Sequence, residues 1–102
     1  MYNMIKAVIE SPSKTKRFRA IIDYNGVERK IDFGSKNAVT YIDKMRTKQE
    51  RKNYWVRHLA NKTEKKRIET LTLSPATLSA YILWGLSTSI EKNIKYLNKM
   101  LE

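Results

Sequence analysis

A chain of 102 residues, 41% of them apolar, is long enough for one domain with a small core. It has no cysteine, which excludes disulfides, thiolate nucleophiles and cysteine-built zinc sites, and it has no apolar run long enough to span a bilayer. Its 21 Lys/Arg against 10 Asp/Glu give a formal charge of +11, too basic for indifference to polyanions and too apolar for a disordered tail.

The N-terminal MYNMIKAVIE lacks a basic segment followed by an apolar one, so no secretory signal is expected, and an intracellular site of action is the natural expectation. Ile5, Ala7 and Ile9 alternate with Lys6, Val8 and Glu10, which predicts a first strand. Lys16 to Tyr24 and Val27 to Phe33 follow as a hairpin around Asn25-Gly26, a pair that favours a two-residue type I′ turn. That turn sets Phe18 opposite Phe33, Ala20 opposite Ile31, Ile22 opposite Arg29 and Tyr24 opposite Val27. The other face pairs Arg19 with Asp32 and Ile21 with Lys30, and leaves Asp23 facing Glu28 unfavourably at the tip.

Helical spacing begins after Gly34. Ala38, Tyr41, Ile42 and Met45 predict one helix. Thr47-Lys48-Gln49-Glu50 is a capping box that opens a second helix running to about Ala60. Asn61 to Thr70 is polar and basic and is expected to be an exposed loop. Ser74-Pro75 starts a third helix, with Gly85 as its C-cap, and Thr88 to Glu91 starts a fourth. The fold expected is α+β: one domain over residues 1–102, with a three-stranded antiparallel meander (1–34), basic helices (36–60), a basic loop (61–73) and an αα-hairpin (74–101), about four helices in all.

Catalysis is poorly supplied. His58 is the only histidine, it sits among cations, and acid–base chemistry needs a second positioned group. No catalytic residue, metal, cofactor or small-molecule substrate is expected. The charge points elsewhere. Residues 36–67 hold 11 Lys/Arg and three acids, whereas residues 68–102 sum to zero. Lys48, Arg51, Lys52, Arg57, His58, Lys62, Lys65, Lys66 and Arg67, with Lys16, Arg17 and Arg19, suit phosphate contacts that carry no sequence information. Tyr54 and Trp55 are candidates for stacking on bases, although aromatics at helical spacing more often belong to a core. Reversing Arg51, Lys52 and Arg57 to Glu is expected to abolish binding without changing the circular dichroism. The neutral C-terminal helices argue against a helix-turn-helix reader, and Trp84 and Leu86 are the candidate contact of a homodimer.

The run Phe33-Gly34-Ser35-Lys36, then Tyr41, then Arg51 to His58 (RKNYWVRH), resembles the core of a family of small basic proteins of large double-stranded DNA viruses of protists and algae. The ending Leu73 to Gly85 (LSPATLSAYILWG), with Thr88-Ser89-Ile90 and Asn93-Ile94, is similar to that family's C-terminus. Relatives often carry a Trp after the Arg-His pair, where this chain has Asn61 to Arg67. The resemblance implies a viral, marseillevirus-like context without an enzymatic activity. It sharpens the expected function to sequence-non-specific binding of double-stranded DNA and genome packaging, in the virion or in the host cytoplasm (viral factory) or nucleus. The alternative is a structural virion protein that bridges capsid, membrane or an acidic partner, with membrane contact less favoured.

Overall fold

The computed structural model describes residues 3–102, so Met1 and Tyr2 of the expected meander lie outside it. The fold is α+β. β1 (Asn3–Glu10), β2 (Lys16–Tyr24) and β3 (Val27–Ser35) form an antiparallel sheet in the order β1-β2-β3, and four helices follow. The hairpin register is the expected one at every named pair. Asn25 and Gly26 both take positive φ, 53° and 85°, as a type I′ turn requires. The like-charged pair at the tip is defused: Asp23 accepts from the Gly26 N–H at 2.8 Å, while Glu28 turns to Lys6 at 3.7 Å.

β1 departs from simple alternation. A bulge between Ile5 and Ala7 shifts the register, so Ile5 opposes Ile22 and Val8 opposes Ala20, while Ala7 and Ile9 move to the other face. One extra residue in a strand reverses the facing of everything beyond it. The outer edge of β1 is closed by α4 (Ile90–Leu101). There the Asn98 carboxamide accepts from the Ile5 N–H at 2.8 Å and donates to the Ile5 carbonyl at 3.0 Å, occupying edge groups otherwise open to strand pairing.

The expected helix over Ala38 to Met45 is only a 3₁₀ turn, Tyr41–Asp43, ended by Lys44 at φ 64°. Asp43 decides this. Its carboxylate accepts from the Thr40 N–H at 2.8 Å and takes both arms of the Arg17 guanidinium at 2.8 and 2.6 Å, which ties the turn to β2 and stops it from winding on. The Arg17 fork, with the Thr40 N–H, holds the Asp43 carboxyl far below the usual carboxylate range, against the opposing pull of burial. The unfolded chain therefore binds the proton first as pH falls. This contribution is complete above about pH 5 and is lost as pH drops through the ordinary Asp range near 3.9 and below. Asp43→Asn is expected to lower stability at neutral pH by about 1–3 kcal/mol and to flatten the acid limb of a stability–pH curve measured by urea unfolding.

α1 (Lys48–Leu59) opens with the expected capping box, Thr47 and Glu50 exchanging two hydrogen bonds at 3.1 Å each. Asn61 to Thr70 is not a loop: α2 (Lys62–Glu69) occupies it. The Asn61 side chain caps the Thr63 and Glu64 N–H groups. At the other end the Thr72 N–H reaches the Arg67 carbonyl and the Leu71 N–H reaches that of Ile68, with Leu71 at φ 53°, a Schellman ending carried by a non-glycine residue. Ile68 is the only buried side chain of α2, so the helix has no apolar stripe by which periodicity could reveal it.

α3 (Pro75–Leu78), capped by Ser74, runs directly into a π-helical turn, Ser79–Leu83. Its buried Leu78, Ile82 and Leu83 meet Ile5, Ala20, Ile22 and Phe33 of the sheet and Leu97 of α4 in the main core. A second cluster of Tyr54, Ile68 and Ala80, flanked by Trp55, Leu59, Tyr81 and Trp84, fastens α1 and α2 to the other side of that turn. α4 begins one residue later than its expected box: Ser89, not Thr88, caps it by accepting from the Lys92 N–H.

Candidate nucleic-acid interface

The α1–α2 hairpin carries eight of the 21 Lys/Arg against three acids. Lys48, Lys52 and Arg57 on α1 and Lys62, Lys66 and Arg67 on α2 are exposed, and none has a carboxylate partner among the described residues. Lys65 is exposed and pairs loosely with Glu69 at 3.8 Å. Their positions follow from packing. The side of α1 that faces the second cluster holds Arg51, Tyr54, Trp55 and His58, three and four residues apart, so the remaining cations point to solvent. Because α2 buries Ile68 alone, most of its circumference is open, and Lys62, Lys65, Lys66 and Arg67 share it with Thr63, Glu64 and Glu69.

Four expected contact residues are held elsewhere. Arg17 is clamped on Asp43 at 2.6 Å. Arg19 forks onto Asp32 at 2.7 and 3.2 Å, an arrangement in which that carboxyl is depressed chiefly by the hydrogen bond from Arg19. Arg51 sends its Nε–H to the carbonyls of Trp84 at 3.1 Å and Gly85 at 2.7 Å, so it is a brace between α1 and the segment after the π turn. His58 holds Glu64 through Nδ1 at 2.6 Å and so joins α1 to α2. In each case a partner distant in sequence or on the next helix captures the side chain.

Of the two stacking candidates, Tyr54 belongs to the core and Trp55 is half-buried against it. Tyr54 is 9% exposed; its ring lies parallel to Trp84 at 4.5 Å and against His58 at 4.1 Å, which leaves no face for a base. Burial, reinforced by the Glu64 carboxylate, pushes its hydroxyl up to about 12. Trp55 meets Tyr81 edge-on at 5.2 Å and donates its indole N–H to the Trp84 carbonyl at 2.8 Å. Trp84, one of the two dimer candidates, is therefore used within the chain. The other, Leu86, is 62% exposed and shares with Tyr96, Met100 and Trp55 the lining of a groove of about 340 Å³.

Two further concavities flank Tyr54. One of about 510 Å³ is lined by Arg46, Asn53 and Arg57 together with the 37–40 segment. The other, of about 370 Å³, contains Lys16, His58, Glu64 and Arg67. The structure thus puts Lys16 of the hairpin and Arg67 of α2 on the wall of one concavity, a placement that sequence spacing does not reveal. Arg46, which the sequence did not single out, borders the first concavity although its guanidinium already bonds Glu50 at 2.9 Å. No described helix is long and apolar enough to cross a membrane.

A small α+β fold with a basic helical hairpin is the class that fold and surface define. The model of a family of unknown function (DUF5754) matches residues 6–58, from within β1 almost to the end of α1, and the chain belongs to that family. No curated protein and no solved structure matches it.

Proposed function

We propose that the protein binds nucleic acid without sequence specificity, duplex DNA being its main partner, and that it serves genome condensation or packaging in the viral setting suggested by the sequence resemblance. The observation that carries this reading is the set Lys48, Lys52, Arg57, Lys62, Lys66 and Arg67: exposed, confined to one helical hairpin and unmatched by carboxylates among the described residues. Such a set raises self-repulsion and contributes no packing, so its value lies in an anionic partner. No base-reading arrangement accompanies it, and Tyr54, one of the two rings that would stack on single strands, is covered by Trp84 and His58, which favours duplex over single strands. Self-association through Leu86 belongs to the same proposal. Residues 68–102 sum to zero charge, so this end lets two basic chains approach with least repulsion.

The test is a salt series against unrelated DNA duplexes, duplex RNA and anionic vesicles. Engagement of all six cations predicts a slope of log K on log salt of about −5 for DNA of any sequence. Absence of DNA binding at about 50 mM salt, where such contacts are strongest, would sink the reading. Vesicle binding in that case would move the basic surface to lipid.

A further inference from the structure

The concavity of about 370 Å³ beside Tyr54 differs in kind from the convex basic surface around it. Lys16 from the start of β2, His58 from α1 and Arg67 from α2 line it, with Ser35 and Ser79 on its wall. It contains one carboxylate, Glu64, which already engages His58 Nδ1 at 2.6 Å. Arg67 has no carboxylate partner among the described residues, and Lys16 forms no ion pair there, although, after the Arg19 hydrogen bond, its charge helps to depress the Asp32 carboxyl. The His58 ring is fixed twice, by Glu64 at Nδ1 and by the Tyr54 ring at 4.1 Å. Its Nε2 is left with no hydrogen bond among the described residues.

A duplex backbone is smooth and presents monoanionic diesters to a surface. An open recess lined by an arginine, a lysine, an imidazole and two serines, its one carboxylate already engaged by the imidazole, suits a projecting group with more charge and more acceptor oxygens. A phosphomonoester has both, with three free oxygens and a charge of about −1.5 to −2 near neutrality. Arginine offers it a planar fork, and lysine a movable point charge.

Building on the nucleic-acid reading, we infer that this recess binds a phosphomonoester, either the terminal phosphate of a strand or that of a mononucleotide. Arg67 grips two oxygens, Lys16 neutralises the third, and His58 meets the group through Nε2. Glu64 has a positioning role, holding the imidazole in place.

The test compares one short duplex with 5′-phosphates, the same duplex dephosphorylated, and a closed circular DNA that has no ends. A nucleoside 5′-monophosphate and its parent nucleoside serve as competitors. Dephosphorylation is expected to weaken binding of the short duplex about tenfold, the scale of one charge-assisted contact. Arg67→Ala and Lys16→Ala should each erase most of that difference at an unchanged melting temperature, whereas His58→Gln, which also breaks the Glu64 contact, should erase it with a lowered melting temperature. Competition by the nucleotide but not the nucleoside would identify any phosphomonoester as ligand; sensitivity to strand ends without such competition would restrict it to strand termini. Equal affinity for phosphorylated and dephosphorylated duplex, with no effect of the nucleotide, would overturn the recess and leave non-specific binding standing. Nucleotide binding without retention of circular DNA would keep the recess and remove the packaging role.

Discussion

Gly85→Ala is expected to lower the unfolding free energy by about 3–5 kcal/mol, a large share of what a domain of this size possesses. A β-carbon at this position would stand 2.3 Å from the Tyr81 carbonyl oxygen and 2.7 Å from the Asn93 Cγ. The first is backbone of the π turn. The second belongs to a side chain with nowhere to go, because Asn93 is 3% exposed. Its amide donates to the carbonyls of Ile82 and Ser87 at 2.8 Å each and accepts from the Ser87 N–H at 3.0 Å. Making room for the methyl group breaks these bonds inside the protein, where unmatched polar groups cost most. Asn93→Ala should reproduce much of the effect, about 2–4 kcal/mol, by removing the partner itself. Urea unfolding followed by circular dichroism measures both; an unaltered midpoint for Gly85→Ala would show that this segment moves aside freely.

Reversing Lys52, Lys62, Lys66 and Arg67 together to Glu is expected to weaken duplex DNA binding by at least about 10³-fold, since it removes most of the phosphate contacts and adds repulsion. The melting temperature should move by only a few degrees, because none of the four is buried or paired among the described residues. Arg51→Glu should behave in the opposite manner. It sets a carboxylate against the Trp84 and Gly85 carbonyls that Arg51 now bridges, so it should unfold the α1 docking before binding can be assessed. A reversal set that includes Arg51 would thus confuse fold with affinity. Gel shift and thermal melting on the two variants separate the roles. Full DNA binding by the fourfold variant would take the α1–α2 hairpin out of the interface.

Gly85 itself illustrates how local pattern misleads. A glycine after an apolar helix suggests a C-cap, yet positive φ among the glycines belongs to Gly26 and Gly34. Gly85 is needed for the close approach of Asn93 instead, eight positions away along the chain. In α2 a readable sign was present: Asn61 followed three residues later by Glu64 is an N-terminal helix signature. It was masked by the scarcity of apolar residues after it.

The sequence alone determined what rests on neighbouring residues: the Asn25-Gly26 hairpin with its register, the Thr47–Glu50 start of α1, the Ser74-Pro75 start of α3, and the concentration of charge between residues 36 and 67. Turn and cap chemistry act over two to four residues, so they are written locally. Tertiary structure decided which of the cations remain available. Arg17 finds Asp43 26 positions away and Arg51 finds the Gly85 carbonyl 34 positions away, whereas the Arg19–Asp32 pair follows from the hairpin register. A guanidinium is committed wherever folding delivers a fixed acceptor. Folding likewise covered Tyr54 with Trp84, because the second cluster is assembled from side chains of α1, α2 and the segment around the π turn that no single stretch of sequence contains.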